Sequence, residues 1–343
     1  MTARVPPAAD RPVGESDTAG RGGAGVATER VVVARRWTGL GDCLVSSAAA
    51  WRYAHVTGRT LVADWRGSTY LPDGGNAFDR VFDAPTSLAG VPFRAGDDVG
   101  ERCPPGPYWP PGWTRERIDQ AGSHGESGQT ALAVRQIDAG HDVDQSVVVF
   151  DGCLSAAAPS LEQCRSIFRD LRPRPQLTAA VRSFAEARLR PRPVLAVHVR
   201  HGNGGDIMGH GPHWARPHRT LVDLLRLTQA AQRRLADATG ADPCVLVCTD
   251  SPEVQAAFTT VVPGAVVRPK VLRPVGSGEL HRGPGAERGL VDAAVEMMLL
   301  AEADVLVRFP AGSFFSTWGA VLKRAPPVAV ADLVPEGFGA AVC

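Results

Sequence analysis

The feature that most constrains this chain is a repeated change from a short apolar run to a small-residue or polar turn and then to a helical segment. The first instance begins with a strand predicted at Arg30–Ala34, continues through the turn Trp37–Leu44 and enters a helix that Gly58 ends. Another strand, Thr60–Asp64, follows directly. Strand, turn, helix and strand make up the first half of a Rossmann-like unit, so the sequence predicts an α/β fold.

The same alternation returns in the second half of the chain. Strands are predicted at 194–197, 244–248, 265–267 and 304–309, and helices at 221–238, from 252, at 290–303 and from 314. Pro191 and Pro193 stand just before this half, which favours a domain boundary there. We therefore expect an N-terminal domain at 29–190 and a C-terminal domain at 191–343. Residues 1–28 lack periodicity and predict a disordered tail.

A cluster of polar residues closes the central strand of the second half. His198 and Arg200 come at its end, and Gly202, Gly204 and Asp206 follow. Open α/β sheets place ligand contacts at the carboxyl ends of their strands. An arginine offers a planar fork of donors that suits a phosphate, and an aspartate can act as a general base. These residues predict an anion-binding site, the alternative being a polar turn with a solvated arginine.

Composition excludes some classes of function. The net charge of +1 argues against bulk attraction to nucleic acid or to a membrane surface. No apolar run is long enough for a membrane span, and the amino terminus has no apolar core of a signal peptide. The seven cysteines include no C-x-x-C pair, which favours neither a disulfide framework nor a zinc site. A cytoplasmic location is the simplest expectation.

Two patterns raise the question of a metal. Asp142-Val143-Asp144 resembles a cation-binding triplet, but it precedes its strand and should lie at the wrong end of the sheet for a ligand, so we interpret it as a solvated turn. Five histidines at 198, 201, 210, 213 and 218 lack the helical i, i+4 spacing of a zinc motif. We expect no metal and no cofactor.

Four segments together resemble a known family of enzymes. They read GLGDCL with AAAWRYAHVTGRTLVADWRGSTY, then HVRHGNGGDIM, then VLVCTDS, and finally ELHR with LVDAAVEMMLLAEADVLVRFPAGSFFSTW. In this order they resemble the α-1,6-fucosyltransferases of glycosyltransferase family 23, most closely the bacterial nodulation enzymes. The resemblance implies a GT-B-type fold, in which two Rossmann-like domains enclose a cleft. It also implies an inverting, metal-independent glycosyltransferase that takes GDP-L-fucose or a related GDP-sugar as its donor.

The resemblance also implies roles for single residues. It makes 29–190 the acceptor-side domain and 191–343 the GDP-sugar-binding domain. Arg200 would hold the β-phosphate, Glu296 would accept N–H donors of guanine, and Asp206, chosen by proximity, would be the acceptor base. The remaining candidates for GDP-sugar binding are Gly39 and Gly41 beside the diphosphate, Tyr70 near the ribose, His198 near the guanine, and Arg282, Ser313 and Phe314 on the phosphate side.

The reaction and the acceptor stay open at this point. The same GDP-sugar site would serve a mutase that interconverts pyranose and furanose rings, or a binding protein without activity. An oligosaccharide containing N-acetylglucosamine and a secondary metabolite are both possible acceptors. Tyr108, Trp109 and Trp113 lie in a Pro- and Gly-rich stretch at 100–140, where they stack on sugars or, as we favour, form a small satellite core.

Overall fold

The computed structural model describes most of the chain between residues 29 and 341. The described ranges are 29–71, 74–120, 142–151, 160–200, 221–273, 285–309, 313–322, 329–334 and 337–341. The predicted tail at 1–28 and the candidate residues Asp206 and Arg282 lie outside them.

The N-terminal half builds a six-stranded sheet in the order β4-β5-β2-β1-β7-β6. The strands are β1 (Val31–Arg35), β2 (Thr60–Asp64), β4 (Ser87–Leu88), β5 (Val91–Ala95), β6 (Tyr108–Trp109) and β7 (Val147–Asp151). All neighbouring strands are parallel except β4 and β5. A separate antiparallel ribbon joins β3 (Phe82–Asp83) to β8 (Arg172–Pro173). The central strands are buried on both faces and are accordingly mainly apolar, with Arg35 and Asp64 at the carboxyl ends of β1 and β2.

The C-terminal half builds a second six-stranded sheet, in the order β11-β10-β9-β12-β13-β14. Its strands are β9 (Val194–Val199), β10 (Cys244–Thr249), β11 (Ala265–Val267), β12 (Val305–Phe309), β13 (Ala329–Val334) and β14 (Gly337–Ala341). Only the last pair is antiparallel. In both sheets the first strand of the half lies centrally, and the chain continues on opposite sides of it. This reversal of strand order is the doubly wound arrangement of a Rossmann-like sheet.

Helices cover the faces of the two sheets. They are α1 (Leu40–Thr57), α2 (Ala77–Val81), α3 (Val99–Arg102), α4 (Arg115–Asp119), α5 (Leu161–Phe168), α6 (Pro175–Phe184), α7 (Leu221–Thr239), α8 (Pro252–Val261), α9 (Ala286–Leu300) and α10 (Phe314–Leu322), with a π-helical turn at Ala185–Leu189. Gly58 ends α1 in the left-handed conformation, as the sequence predicts, and Ser251 caps α8 through its side chain, a position for which the sequence offers both Asp250 and Ser251. Among the described residues, no helix combines the length and apolarity of a membrane span.

The two halves share one hydrophobic core. It contains α1 and one face of the N-terminal sheet together with α9, α10 and one face of the C-terminal sheet. Helix α1 packs directly on α10, so the amino end of each helix faces the other. Both helices start at the carboxyl end of a strand, and the carboxyl edges of the two sheets therefore meet at this junction. The architecture is GT-B-type, as expected, with the cleft between two Rossmann-like units. The domain limits at 190 and 191 stay a prediction.

The aromatic residues at 108–113 divide between two hydrophobic clusters: Trp113 and Tyr108 form the satellite core that we favoured, and Trp109 joins the main core. Trp109 lies in β6 and Trp113 precedes α4, and both side chains are buried. Trp113 packs with Val99, Cys103 and Ile118 against the outer face of the N-terminal sheet. These two indole rings are therefore core residues and present no surface on which a sugar can stack.

Asp142 and Asp144 lie in an exposed turn, as expected, but Asp142 also has a structural role. Its carboxylate accepts hydrogen bonds from the Tyr53 hydroxyl at 2.8 Å and from the Arg59 Nε at 2.9 Å, and Arg30 lies 2.8 Å away. Arg59 is fully buried and also donates to the carbonyls of Val143, Gln145 and Ser146. The aspartate thus neutralises a buried arginine that ties α1 to the segment entering β7. It lies at the amino edge of the sheet, away from the cleft.

Candidate functional site

The candidate site lies where the strand order of the C-terminal sheet reverses, between β9 and β12. Ligands of open α/β sheets bind outside the carboxyl ends of the strands at such a point. His198 and Arg200 come from the end of β9, Asp250 follows β10, and Ser313 and Phe314 follow β12. The backbone N–H of Arg200 donates to the carbonyl of Phe309 at 2.8 Å, which ties the end of β9 to the end of β12.

Arg200 is held by a carboxylate from the neighbouring strand. Its Nη1 donates to Oδ2 of Asp250 at 2.5 Å, and 29% of its side chain is exposed against 8% for Asp250. Asp250 is not the cap of α8, because Ser251 makes that hydrogen bond. The carboxylate is therefore available to orient the guanidinium, which stays partly exposed at the carboxyl end of β9. A fork of this kind suits a diphosphate.

His198 is a buried, neutral imidazole. Its ring stacks on Phe315 with the centroids 5.0 Å apart, and its Nδ1 has no hydrogen-bond partner among the residues that the structure describes. Burial lowers the pKa of His198 to about 3, because desolvation outweighs the opposing charge of Asp250, and Arg200, Lys270 and Arg308 lower it further. A buried polar atom without a partner is uncommon in proteins. This nitrogen is consequently a candidate for contact with a ligand.

Glu296 lies in the same region, on the buried face of α9. Both of its carboxylate oxygens accept hydrogen bonds from the Lys270 ammonium at 2.6 Å, and the same ammonium donates to the Thr249 carbonyl at 2.6 Å. Burial raises the pKa of Glu296, and the charge of Lys270 opposes that shift. The predicted partner of a nucleotide base is therefore a buried carboxylate with a fixed counter-ion.

The strand β12 contributes a second arginine that sequence reasoning missed. Arg308 lies beside His198 in the parallel register, is buried and donates to Oγ1 of Thr317 at 2.6 Å. Thr317 in turn bonds the Ser313 carbonyl, at 2.9 Å from its hydroxyl and 3.0 Å from its backbone N–H. Arg308 therefore helps to place the first turn of α10, which begins with Phe314. The sequence did contain a signal for Arg308, because a charged residue stands there inside an otherwise apolar strand.

The N-terminal half meets this region through α1. A Cβ on Gly41 would lie 2.6 Å from the Phe315 nitrogen and 2.9 Å from the Phe314 carbonyl carbon, so this position needs glycine for close packing. Gly39 precedes α1, and a Cβ added there would lie 3.7 Å from Oδ2 of Asp42, which is an ordinary contact. The Tyr70 hydroxyl accepts the Leu40 N–H at 3.3 Å.

Tyr70 also shows how near the two halves are. Burial raises its pKa, and the charge of Arg200, from the other half of the chain, lowers it. The structure thus brings Gly39, Gly41, Tyr70, His198, Arg200, Glu296, Ser313 and Phe314 to one junction. Their roles toward a ligand stay predictions, as do those of Asp206 and Arg282. Within the described ranges, no group of three or more metal-ligating side chains occurs.

Comparison with known proteins identifies the family. The sequence profile of nodulation protein Z (NodZ) matches residues 28–337. The chain is 37% identical over 319 residues to nodulation protein Z of Bradyrhizobium diazoefficiens, covering 92% of this chain and 84% of that protein. The chain belongs to the NodZ family. The NodZ protein of Sinorhizobium fredii is also 37% identical, over 294 residues that cover 84% of this chain and 89% of that protein.

The NodZ fold has been solved with ligands. A NodZ α-1,6-fucosyltransferase co-crystallised with GDP superposes with a TM-score of 0.70 at 29% identity, covering 91% of this chain and 97% of that one. Another crystal of NodZ α-1,6-fucosyltransferase was soaked with GDP-fucose and matches with a TM-score of 0.68 at 30% identity. The resemblance predicted from the four segments is confirmed at the level of family and fold.

Proposed function

We propose that this chain transfers L-fucose from GDP-fucose to a hydroxyl group of an acceptor. The solved NodZ relatives are described as α-1,6-fucosyltransferases, one co-crystallised with GDP and one soaked with GDP-fucose. The observation that carries the proposal here is Arg200, a partly exposed cation at the end of β9 that pairs with Asp250 near the neutral His198. This arrangement places a permanent cation where the strand order reverses, which is the position at which such sheets bind nucleotides.

The chemistry needs charge stabilisation at the leaving group. When the acceptor oxygen attacks C1 of fucose, the bond from C1 to the β-phosphate oxygen breaks, and negative charge grows on GDP. Arg200 and the backbone N–H groups at the start of α10 would take up this charge. His198 and Glu296 would hold the guanine, and Asp206 would accept the proton of the acceptor hydroxyl. Attack from the face opposite the diphosphate inverts the anomeric centre, so a β-linked donor yields an α-linked product.

The first test is incubation of the protein with GDP-β-L-fucose and chitooligosaccharides, in EDTA or in Mn²⁺, followed by mass spectrometry and NMR. We expect the acceptor to gain one deoxyhexose in α linkage in both media, because the arginine supplies the positive charge. Arg200→Ala should abolish transfer. Arg190→Ala is a matched control, since Arg190 pairs with Glu302 at 2.6 Å beyond the opposite end of β9. Transfer that stops in EDTA would contradict the proposed independence from metal.

The alternatives predict different products. A mutase would convert GDP-fucose without acceptor into an isomer of equal mass with new ring signals, and a binding protein would retain GDP without turnover. The reported relatives give the mutase no support, since they are described as fucosyltransferases. An oligosaccharide containing N-acetylglucosamine and a small secondary metabolite are the two acceptors that we propose to test. A cytoplasmic location is also proposed.

A further inference from the structure

Lys270 is an unusual residue in this chain. The sequence contains 37 basic residues, of which only Lys270 and Lys323 are lysines. Lys270 lies in the extended segment after β11, and its side chain is 4% exposed. An ammonium group taken out of water at such depth costs free energy unless close partners compensate.

The three contacts of this ammonium account for its three donors. It bonds both carboxylate oxygens of Glu296 and the carbonyl of Thr249, each at 2.6 Å. With three N–H donors and three acceptors, its position relative to the end of β10 is determined. The Glu296 carboxylate has about four lone-pair sites, so two remain for other donors.

A neighbouring ion pair provides a comparison within the same two elements. Arg268, two residues earlier, bonds Asp292, one helical turn before Glu296, at 2.6 Å. That pair is more exposed, at 18% and 13% of the two side chains, against 4% and 8% for Lys270 and Glu296. The Arg268 pair is enough to join the segment to α9. The deeper pair lies instead toward the carboxyl end of β10, beside the region that contains His198.

We propose that Lys270 is a positioning residue for base recognition: it holds Glu296 as a carboxylate and directs its two remaining acceptor sites at the N1–H and 2-amino donors of guanine. This inference rests on the proposed function, because it requires a guanine nucleotide as ligand. Lys270 acts through Glu296 and need not touch the base itself. Guanine presents two adjacent N–H donors, whereas hypoxanthine lacks the amino group and adenine lacks N1–H.

The charge of Glu296 depends on its surroundings. Burial raises the pKa of this carboxyl, Lys270 and Arg268 lower it, and Asp292 raises it again. Cys248 of β10 and His198 of β9 are the other titratable groups beside the pair, and both are neutral because burial raises the pKa of the thiol and lowers that of the imidazole. Without Lys270 the pKa of Glu296 rises further. When the pH is lowered, the variant therefore protonates this carboxylate at a higher pH than the wild type does.

The test measures binding of GDP and IDP by calorimetry between about pH 6 and pH 8. We expect Lys270→Met to weaken GDP binding about 10- to 100-fold and to lose most of the preference for GDP over IDP, since two charge-assisted hydrogen bonds are affected. The loss should grow as the pH falls. Arg268→Met is the matched control, which removes an ion pair between the same two elements and should change GDP affinity less than about twofold.

A second variant covers a failure to fold. If Lys270→Met is not native by circular dichroism, the double variant Lys270→Met/Glu296→Gln removes the unpaired buried charge and should fold, with the preference for GDP over IDP still lost. Wild-type affinity and preference in Lys270→Met overturn the inference, and so does a lower melting temperature with an unchanged preference. If the wild-type protein binds neither GDP nor IDP, the proposed function itself is overturned. If the wild type binds GDP and only the inference about Lys270 fails, the variant retains the wild-type preference, so the two failures are distinguishable.

Discussion

The two sheets carry the same pair of residues at equivalent positions. In the N-terminal sheet Arg35 ends the central strand β1 and pairs with Asp64 at the end of β2. In the C-terminal sheet Arg200 follows the central strand β9 and pairs with Asp250 just after β10. The exposed fractions of the two side chains are 2% and 0% in the first pair, against 29% and 8% in the second.

The first pair is closed off by further protein contacts. Asp64 also accepts from Arg66, at 2.8 Å from its Nε, and Arg35 donates to the Gln120 carbonyl at 2.7 Å. Arg35 lies within 5.8 Å of the Trp113 ring centroid. The second pair opens toward the cleft between the halves. The same two residue types thus form a sealed structural ion pair in one sheet and a partly exposed pair in the other, which we propose as a ligand contact.

The largest expected effect tests the closed pair. We expect Asp64→Asn to lower the free energy of unfolding by about 3–5 kcal/mol, because Arg35 becomes a buried charge without its counter-ion. Urea denaturation followed by circular dichroism measures the change. A loss below about 1 kcal/mol, which is usual for exposed pairs, would contradict the view that the Arg35–Asp64 pair stabilises the fold because it is buried.

A smaller effect, on function, tests the open pair. Arg200→Lys keeps the charge but loses the planar fork, so we expect GDP to bind about 30- to 100-fold more weakly, or roughly 2–3 kcal/mol. Calorimetry with GDP measures this without knowledge of the acceptor. Unfolding should change by less than about 1 kcal/mol, since the side chain is partly exposed. Unaltered GDP affinity would remove Arg200 from the site.

The smallest expected effect is that of Asp250→Asn, which is compared with Asp64→Asn in the other sheet. Asp250→Asn keeps the shape and one acceptor atom, so we expect only about a tenfold loss of GDP affinity, or roughly 1.4 kcal/mol, from looser placement of Arg200. Its free energy of unfolding should fall far less than that of Asp64→Asn. Equal destabilisation by the two substitutions would show that burial does not separate the pairs.

Much of the fold was predictable from local patterns. The strands at 31–35, 60–64, 194–199 and 244–249 each contain an apolar run of three to five residues, which is what strands buried on both faces require, and polar residues stand only toward their ends. Very short strands such as β3 and β8 were missed, since two residues carry no periodicity. Helix α9 begins at Ala286, four residues before the predicted start, because the polar first turn hides its apolar pattern.

The candidate site was predictable only in part. His198 and Arg200 were found because charged residues follow a buried strand directly. Lys270 and Arg308 were missed, since their partners Glu296 and Thr317 are on other elements of the fold. The rarity of lysine in this chain was a signal for Lys270 that composition already contained.

Local sequence was sufficient for the alternation of strands and helices, for the end of α1 at Gly58 and for the start of α8 at Pro252. These features depend on periodicity and backbone preference within a few residues. Tertiary structure alone decided which arginine–aspartate pair is sealed and which is open, and why Gly41 must be glycine. Burial and close approach depend on contacts between elements that are far apart in the chain, such as α10 packing on α1. A local sequence pattern does not predict which distant elements come into contact.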